Sequence, residues 1–465
     1  MRCIRIGLLG LVGTLAACTS GGSVPPGVAP SAGSPSTSGS VIDSPSGSST
    51  STPPSADDWP TYHGDAQRSG VSNQPALRPP LQTAWTKQLD GAVYAQPILA
   101  KGLVVVATEN NTVYALRPGG AIGWRSHLAP PVPGSDLPCG NIDPLGITGT
   151  PAYDAGRGLV FVVTETAGGR HDLRALDVRT GRQRWVRNLD VVDRDRSAEQ
   201  QRGAVLVAHG RVYVAFGGLY GDCGNYIGYV ASVTTDGTGP VLHYEVPSGR
   251  EAGIWAPPGP VVDPRSGDLL VAVGNGSGTG GEFDGSDSVL RLSPSLRRVA
   301  LFAPSTWPED NAADLDLGSM SPVPVTGHVV IAGKRGTVYL LSPDLGGVGG
   351  QMATLDGCAA YGGAATTGDA VVLPCSDGIR RLDVAGASMQ WRWHQPDVAG
   401  SPLIAGDTVY AMSQSDGDLY AVDLHTGAVR THVHVGEVTR FATPAPVGGM
   451  LVVGTTSGVV AVAGR

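Results

Sequence analysis

Carboxylates crowd the middle of this chain: Asp222, Glu282, Asp284, Asp287, Asp310, Asp314 and Asp316. Oxygen donors of this kind, gathered in space, are what Ca²⁺ and Mg²⁺ take. Spread instead over loops between strands they form a solvated acidic face, and that is the expected arrangement here. His432 and His434 alternate along an apolar stretch. Alternation puts both imidazoles on one face of a strand, where a third donor would complete a transition-metal site. No third ligand is evident, so they read as ordinary strand histidines. No Ser-His-Asp order, H-E-x-x-H helix or glycine-rich phosphate loop occurs, so the sequence offers no hydrolytic triad, zinc protease site or nucleotide cradle.

The elements that must carry these groups are set by a repeat. Its fullest form reads Gln96-Pro97, then the strand Leu103–Ala107, then Val113-Tyr114-Ala115-Leu116, then Gly123-Trp124. Related starts stand at Thr150-Pro151, Gly259-Pro260, Ser321-Pro322, Ser401-Pro402 and Thr443-Pro444, with degenerate ones near Ala204 and Ala364. That makes eight units, or seven if the one near Ala364 does not count. Apolar runs of four to six residues, bounded by Gly, Asp, Asn and Ser, read as antiparallel strands. Asp177-Val178-Arg179-Thr180-Gly181 and Asp423-Leu424-His425-Thr426-Gly427 fit tight turns in which Asp bonds the backbone and Gly takes positive φ. A unit that cannot bury its own apolar face must stack on neighbours, so this period indicates a propeller, solenoid or array.

Residues 1–18 read as an export signal. Arg2 and Arg5 precede an apolar run from Gly7 to Leu15 that is too short to span a bilayer. The run closes on Leu15-Ala16-Ala17-Cys18, which resembles the bacterial lipobox. That resemblance implies that Cys18 becomes a lipid-modified N-terminus on the outer face of the cell membrane. Residues 19–57 are nearly all Ser, Gly, Pro, Thr and Ala. This composition predicts a disordered tether with a reach on the order of 35 Å. Residues 58–465 form the folded domain. The net charge of −8 argues against a phosphate-binding basic stripe and with it a nucleic-acid partner. In an exported chain the four remaining cysteines, Cys139, Cys223, Cys358 and Cys375, point to disulfides. Of three connectivities, the favoured one joins Cys358 to Cys375 between neighbouring strands of one unit, and Cys139 to Cys223 between two loop insertions. No C-x-x-C spacing supports zinc.

The Ser/Thr-Pro start, the "VYAL" or "YAVD" strand, the D-x-x-T-G turn and the trailing Trp together resemble the repeat of quinoprotein-like β-propellers, named after pyrroloquinoline quinone (PQQ) dehydrogenases. The stretch Asp58-Trp59-Pro60-Thr61-Tyr62-His63-Gly64-Asp65 is similar to the way that family enters its propeller. The resemblance covers residues 58–465. It implies an all-β, eight-bladed propeller of four-stranded antiparallel blades, closed by an N-terminal strand around Ala84-Trp85-Thr86-Lys87. It also implies that Trp124, Trp185 and Trp391 dock each blade on the next.

For chemistry, the family splits by whether a cofactor is kept. In its alcohol dehydrogenases PQQ lies on Ca²⁺ in the central channel, under a ring formed by two adjacent cysteines. In this chain Asn275, in Val273-Gly274-Asn275-Gly276, is similar to a calcium ligand of that site. Asp287 falls where the catalytic base lies, and Lys334 resembles the residue that contacts the quinone. A further ligand would fall near Tyr220-Gly221-Asp222-Cys223, at Cys223 or one position off at Asp222. No Cys-Cys pair is present, which counts against the dehydrogenase. The expected role is therefore a lipid-anchored binding or scaffold module of the cell envelope, needing no cofactor and recognising a protein or other macromolecule. A PQQ- and calcium-dependent dehydrogenase with a modified site is the alternative. The chain also resembles, at the level of fold and anchor, the propeller lipoprotein of the Gram-negative outer-membrane assembly machine.

Overall fold

The computed structural model describes residue 55 and residues 58–465. The export signal, Cys18 and nearly all of the tether lie outside the described residues. No described helix is long and apolar enough to cross a membrane.

Eight antiparallel sheets follow one another along the chain. Numbered in chain order, the blades begin with the strands Ile98–Ala100, Ala152–Asp154, Leu206–Ala208, Val261–Val262, Val323–Val325, Ala365–Thr367, Leu403–Ala405 and Ala445–Val447. Each start falls at one of the eight repeat starts, including the degenerate ones, so the seven-blade count is excluded. Blade 8 takes its outermost strand from the N-terminus: Leu81–Gln88 pairs antiparallel with Gly458–Gly464. This closure leaves no open end to the ring. Three sheets carry a fifth short strand, Glu199–Gln200 in blade 3, Gly347–Val348 in blade 4 and Val71–Ser72 in blade 7.

Burial runs radially. Third strands such as Thr112–Leu116 and Ser288–Leu292 are buried along their whole length, whereas the outermost strands Ile122–His127 and Val429–His434 alternate exposed and half-buried. Inner strands are covered on both faces by neighbouring blades, hence their Val, Ala and Leu content. Outer strands face solvent on one side and read polar-apolar.

The D-x-x-T-G turns act between blades as well as within them. Asp423 Oδ1 accepts the N–H groups of His425 (2.9 Å) and Thr426 (2.8 Å), and Gly427 takes φ +75°. The Trp393 ring of blade 6 lies against that glycine, where an added Cβ would meet it at 2.9 Å, and its Nε1–H donates to Leu424 O at 2.8 Å. Trp124 of blade 1 treats Gly181 and Val178 of blade 2 in the same way, and Trp185 lies on Gly237 of blade 3. The docking Trp of blade 6 is thus Trp393, not Trp391. A register shift between Arg381 and Leu382 pairs Trp393 before the bulge and Trp391 after it, so Trp391 turns back to blade 5 and donates to Asp356 O.

Both favoured disulfides form, Cys139–Cys223 and Cys358–Cys375. The second joins the connection entering blade 6 to that blade's second strand, Ala370–Cys375, not two strands as expected.

The segment Trp59–Gly70 fills one end of the central channel. Its backbone bonds to Leu99 of blade 1, Tyr153 of blade 2, Val262 of blade 4, Thr366 of blade 6 and Ile404 of blade 7. Arg68, 4% exposed, donates to Thr61 Oγ1 (2.5 Å), Tyr62 O (3.2 Å) and, in blade 3, Val205 O (3.2 Å). Buried His63 donates from Nδ1 to Ala364 O at 3.1 Å, and burial holds its pKa down at about 3, so the ring stays neutral.

Candidate functional site: a blind axial cup

With one end plugged, the channel is a cup open on the face that carries the second-to-third-strand hairpins and the connections between blades. Its volume is about 740 Å³, within the range of small-ligand pockets. A void of about 20 Å³ separates its base from Tyr62 of the plug.

A simple register places its lining. Three residues before six of the eight strand starts stand Tyr94, Thr148, Arg202, Pro257, Tyr361 and Phe441, and all six line the cup or the void beneath it. The hairpin loops add Asp222, Asn275, Lys334 and Gln414, and the connection from blade 4 to blade 5 adds Asp314 and Asp316.

Asn275 and Lys334 are brought together on one wall by Asp316. Asp316 is 2% exposed; its Oδ1 accepts the Asn275 N–H at 2.7 Å and its Oδ2 meets Lys334 Nζ at 2.5 Å. Asp314 Oδ1 takes the same ammonium at 2.6 Å, and Lys334 stands 5.9 Å from the Trp255 ring centroid. Burial works against the ammonium, but Asp316 and Asp314 outweigh it and raise its pKa well above the ordinary lysine value. The glycines of the motif follow from this wall. A side chain at Gly274 would strike the Asp316 carboxylate, and one at Gly318 would strike the Gly274 backbone.

Asp287 lies behind this wall and does not line the cup. It is fully buried with φ +41°, its Oδ1 accepts Leu317 N–H at 2.9 Å, and its own N–H donates to Gly274 O at 2.9 Å. Burial pushes its carboxyl up to about 8, with the nearby Asp316, Asp310 and Asp284 adding to the shift. Asp222 lines the rim and accepts the Tyr226 hydroxyl at 2.6 Å, while Cys223 is in the disulfide with Cys139.

The acidic group is therefore only in part a solvated face, with Glu282 and Asp314 exposed. Asp287, Asp310 and Asp316 are buried, and each has an assigned partner: a backbone N–H, Arg335 or Lys334. Buried carboxylates persist only when paired in this way. His432 and His434 share a strand face as expected, and a third group does meet them. Asp418 Oδ2 and Oδ1 bond their Nδ1 atoms at 2.6 and 2.9 Å. Among the described residues no three His, Cys, Asp or Glu side chains are arranged to hold a metal ion.

Sequence reasoning missed Arg202, Arg440, Tyr361 and Phe441. Arg202 bonds Gln200 Oε1 at 3.3 Å, and Arg440 stacks on Tyr361 with its guanidinium carbon 3.9 Å from the ring centroid. For Arg202, Tyr361 and Phe441 the signal available was the offset of three from a strand start, at which an arginine or aromatic residue serves no strand; Arg440 stands one position further out.

An eight-bladed ring with a blind axial cup defines a propeller of the quinoprotein-like type. The profile of the family described as outer membrane protein assembly factor BamB matches residues 82–219 and 261–464, and the chain belongs to that family. No curated protein is similar enough in sequence to count as a match. Among solved structures, the quinohemoprotein alcohol dehydrogenase from Comamonas testosteroni superposes with a TM-score of 0.69 at 17% identity, over 88% of this chain and 81% of that one. A europium-containing methanol dehydrogenase gives 0.67 at 15% identity, over 88% and 98%. BamB from Moraxella catarrhalis gives 0.57 at 18% identity, over 82% and 97%. At these identities the likenesses establish the fold alone.

Proposed function

We propose that the protein is an exported, lipid-anchored binding module of the cell envelope, held at the outer face of the membrane through Cys18, whose axial cup and surrounding loops engage a partner without catalysis. The observation that supports this best is the use made of Lys334, Asp222 and Cys223. A quinone–calcium centre needs a basic group facing the quinone, open oxygen donors for the cation, and a base able to reach the substrate. Here the Lys334 ammonium is matched by Asp314 and Asp316, and Asp287 is turned to the Leu317 backbone. Asp222 is bonded to Tyr226, and Cys223 is tied to Cys139. Lys334, Asp222 and Cys223 are engaged by the fold and do not fit that centre, whereas the Asn275 side chain lines the cup and Asp287 Oδ2 is buried without a partner. Membership of a family named for outer-membrane protein assembly supports an envelope protein as the partner.

The alternative, a PQQ- and calcium-dependent dehydrogenase, draws support from Asn275 and Lys334 sharing the cup wall. One experiment separates the two. The full-length protein is titrated with PQQ and millimolar Ca²⁺ while its melting temperature and the quinone absorbance are followed. No response is expected, and cross-linking in whole cells then recovers an envelope protein. A saturable response that vanishes in Asp287→Ala and Lys334→Ala would reverse the reading. For the anchor, Cys18→Ser should move the protein from the membrane fraction to the soluble one; retention at the membrane would refute lipidation there.

A further inference from the structure

Charge in the cup is unevenly matched. Lys334 has two carboxylates, whereas among the described residues neither Arg202 nor Arg440 enters an ion pair. Both guanidinium groups lie near one ring: Arg202 is 5.6 Å and Arg440 6.0 Å from the Phe441 centroid, and Arg440 also covers Tyr361. The buried acid that acts on Arg202 is Glu109, which accepts the Gly146 N–H at 2.8 Å and whose carboxyl is pushed up to about 7 by burial. It is a weak competitor for the cation. Two planar donor groups without a carboxylate, one half-buried at Arg202 and one exposed at Arg440 at the mouth of the cup, call for an oxyanion from outside.

The rest of the lining limits what carries that oxyanion. Asp222, whose Oδ1 already takes the Tyr226 hydroxyl, and Glu437, whose Oε2 takes Thr456 Oγ1, stand on the walls with further acceptor oxygens, beside the amides of Asn141 and Gln414. Carboxylates accept hydrogen bonds and repel further anions, so a polyanion is disfavoured and a body rich in hydroxyl donors is favoured. Aromatic faces at Tyr361 and Phe441 suit the apolar faces of such a body.

We propose that the cup binds an acidic saccharide, its single carboxylate or phosphate held by Arg202 and Arg440 and its hydroxyls by the wall carboxylates and amides. This rests on the reading of the cup as the binding site. The test is calorimetric titration of the full-length protein with glucuronate, glucose, glucose 6-phosphate and inorganic phosphate. Glucuronate or glucose 6-phosphate should bind at least about tenfold tighter than glucose, the effect of one charge-assisted pair. Whichever acid binds identifies the oxyanion. Arg440→Gln, at an exposed position that the fold tolerates, should abolish that preference with an unchanged melting temperature, and Arg202→Gln should do the same. Equal binding of glucose and glucuronate, no binding of any sugar, inorganic phosphate binding as tightly as the sugar phosphate, or an Arg440→Gln protein that keeps the preference would each overturn the proposal. A calcium-dependent PQQ response would instead sink the binding-module reading, so the two failures are distinguishable.

Discussion

Lys334 and Asp316 meet at 2.5 Å in the cup wall, and the same aspartate holds the Asn275 backbone N–H at 2.7 Å. One nearly buried carboxylate therefore organises two positions of the cup wall. Removing Asp316 leaves the Lys334 ammonium with the exposed Asp314 alone and the Asn275 N–H unpaired. Asp316→Ala should cost about 3 kcal/mol, read as a lowered urea midpoint, with most of the loss recovered in the Asp316→Ala/Lys334→Met double variant. Full additivity of the two changes would show that the pair is not coupled.

Buried acids make stability depend on pH in one direction. Asp287 is raised to about 8, Glu199 to about 8 and Glu109 to about 7, each chiefly by burial. The unfolded values lie near 4, so the folded state binds protons more tightly. The stability from these protons is complete below about pH 4 and is lost as pH rises through the folded values. His171, raised to about 10 because Glu165 and Asp190 outweigh its burial, acts in the same sense from about 6.5 upward. The urea midpoint should fall between pH 5 and pH 9, and Asp287→Asn should flatten part of that slope. A midpoint that rises over this range would contradict the assignment.

Blade docking is tested by two neighbouring tryptophans. Trp393 is buried against Gly427, while Trp391 is half-buried and bonded to blade 5. Trp393→Ala should cost about 3–5 kcal/mol and Trp391→Ala clearly less, by thermal unfolding. Gly427→Ala combines a positive φ of +75° with contact to the ring at 2.9 Å, so about 2 kcal/mol or more is expected.

Arg68 should hold the plug in place. It has three close acceptors and is 4% exposed, and hydrogen bonds from a charged donor contribute about 1.5–3 kcal/mol. Arg68→Ala should increase amide exchange across Trp59–Gly70 by at least about tenfold, while amides of the third strands stay protected. Unchanged exchange in the plug would assign its closure to Tyr62 and His63 instead.

Much of the architecture was written locally. The eight strand starts, the turn glycines Gly181 and Gly427 and the spare strand at Trp85 are short-range signals. Each follows from a residue's own backbone preference or from alternation along one strand, and a repeat multiplies such signals. Trp391 was misassigned because a one-residue bulge, invisible in the sequence, exchanges the roles of residues two apart. The acidic loops were misread for a related reason: composition records how many carboxylates there are, not which of them meet Lys334, Arg335 or a backbone N–H.

The sequence by itself determined the strands, the turns and the repeat period, since these need only local patterning; a closed ring of eight blades was what the resemblance to the quinoprotein-like repeat implied, with seven units left open. Only the tertiary structure decided what the channel is. Arg202, Tyr361 and Phe441 come from three blades far apart in the chain, and the plug at Tyr62 and His63 reaches them from the N-terminus. Which groups converge on an axis depends on how the blades are arranged around it, and no local preference encodes that distance.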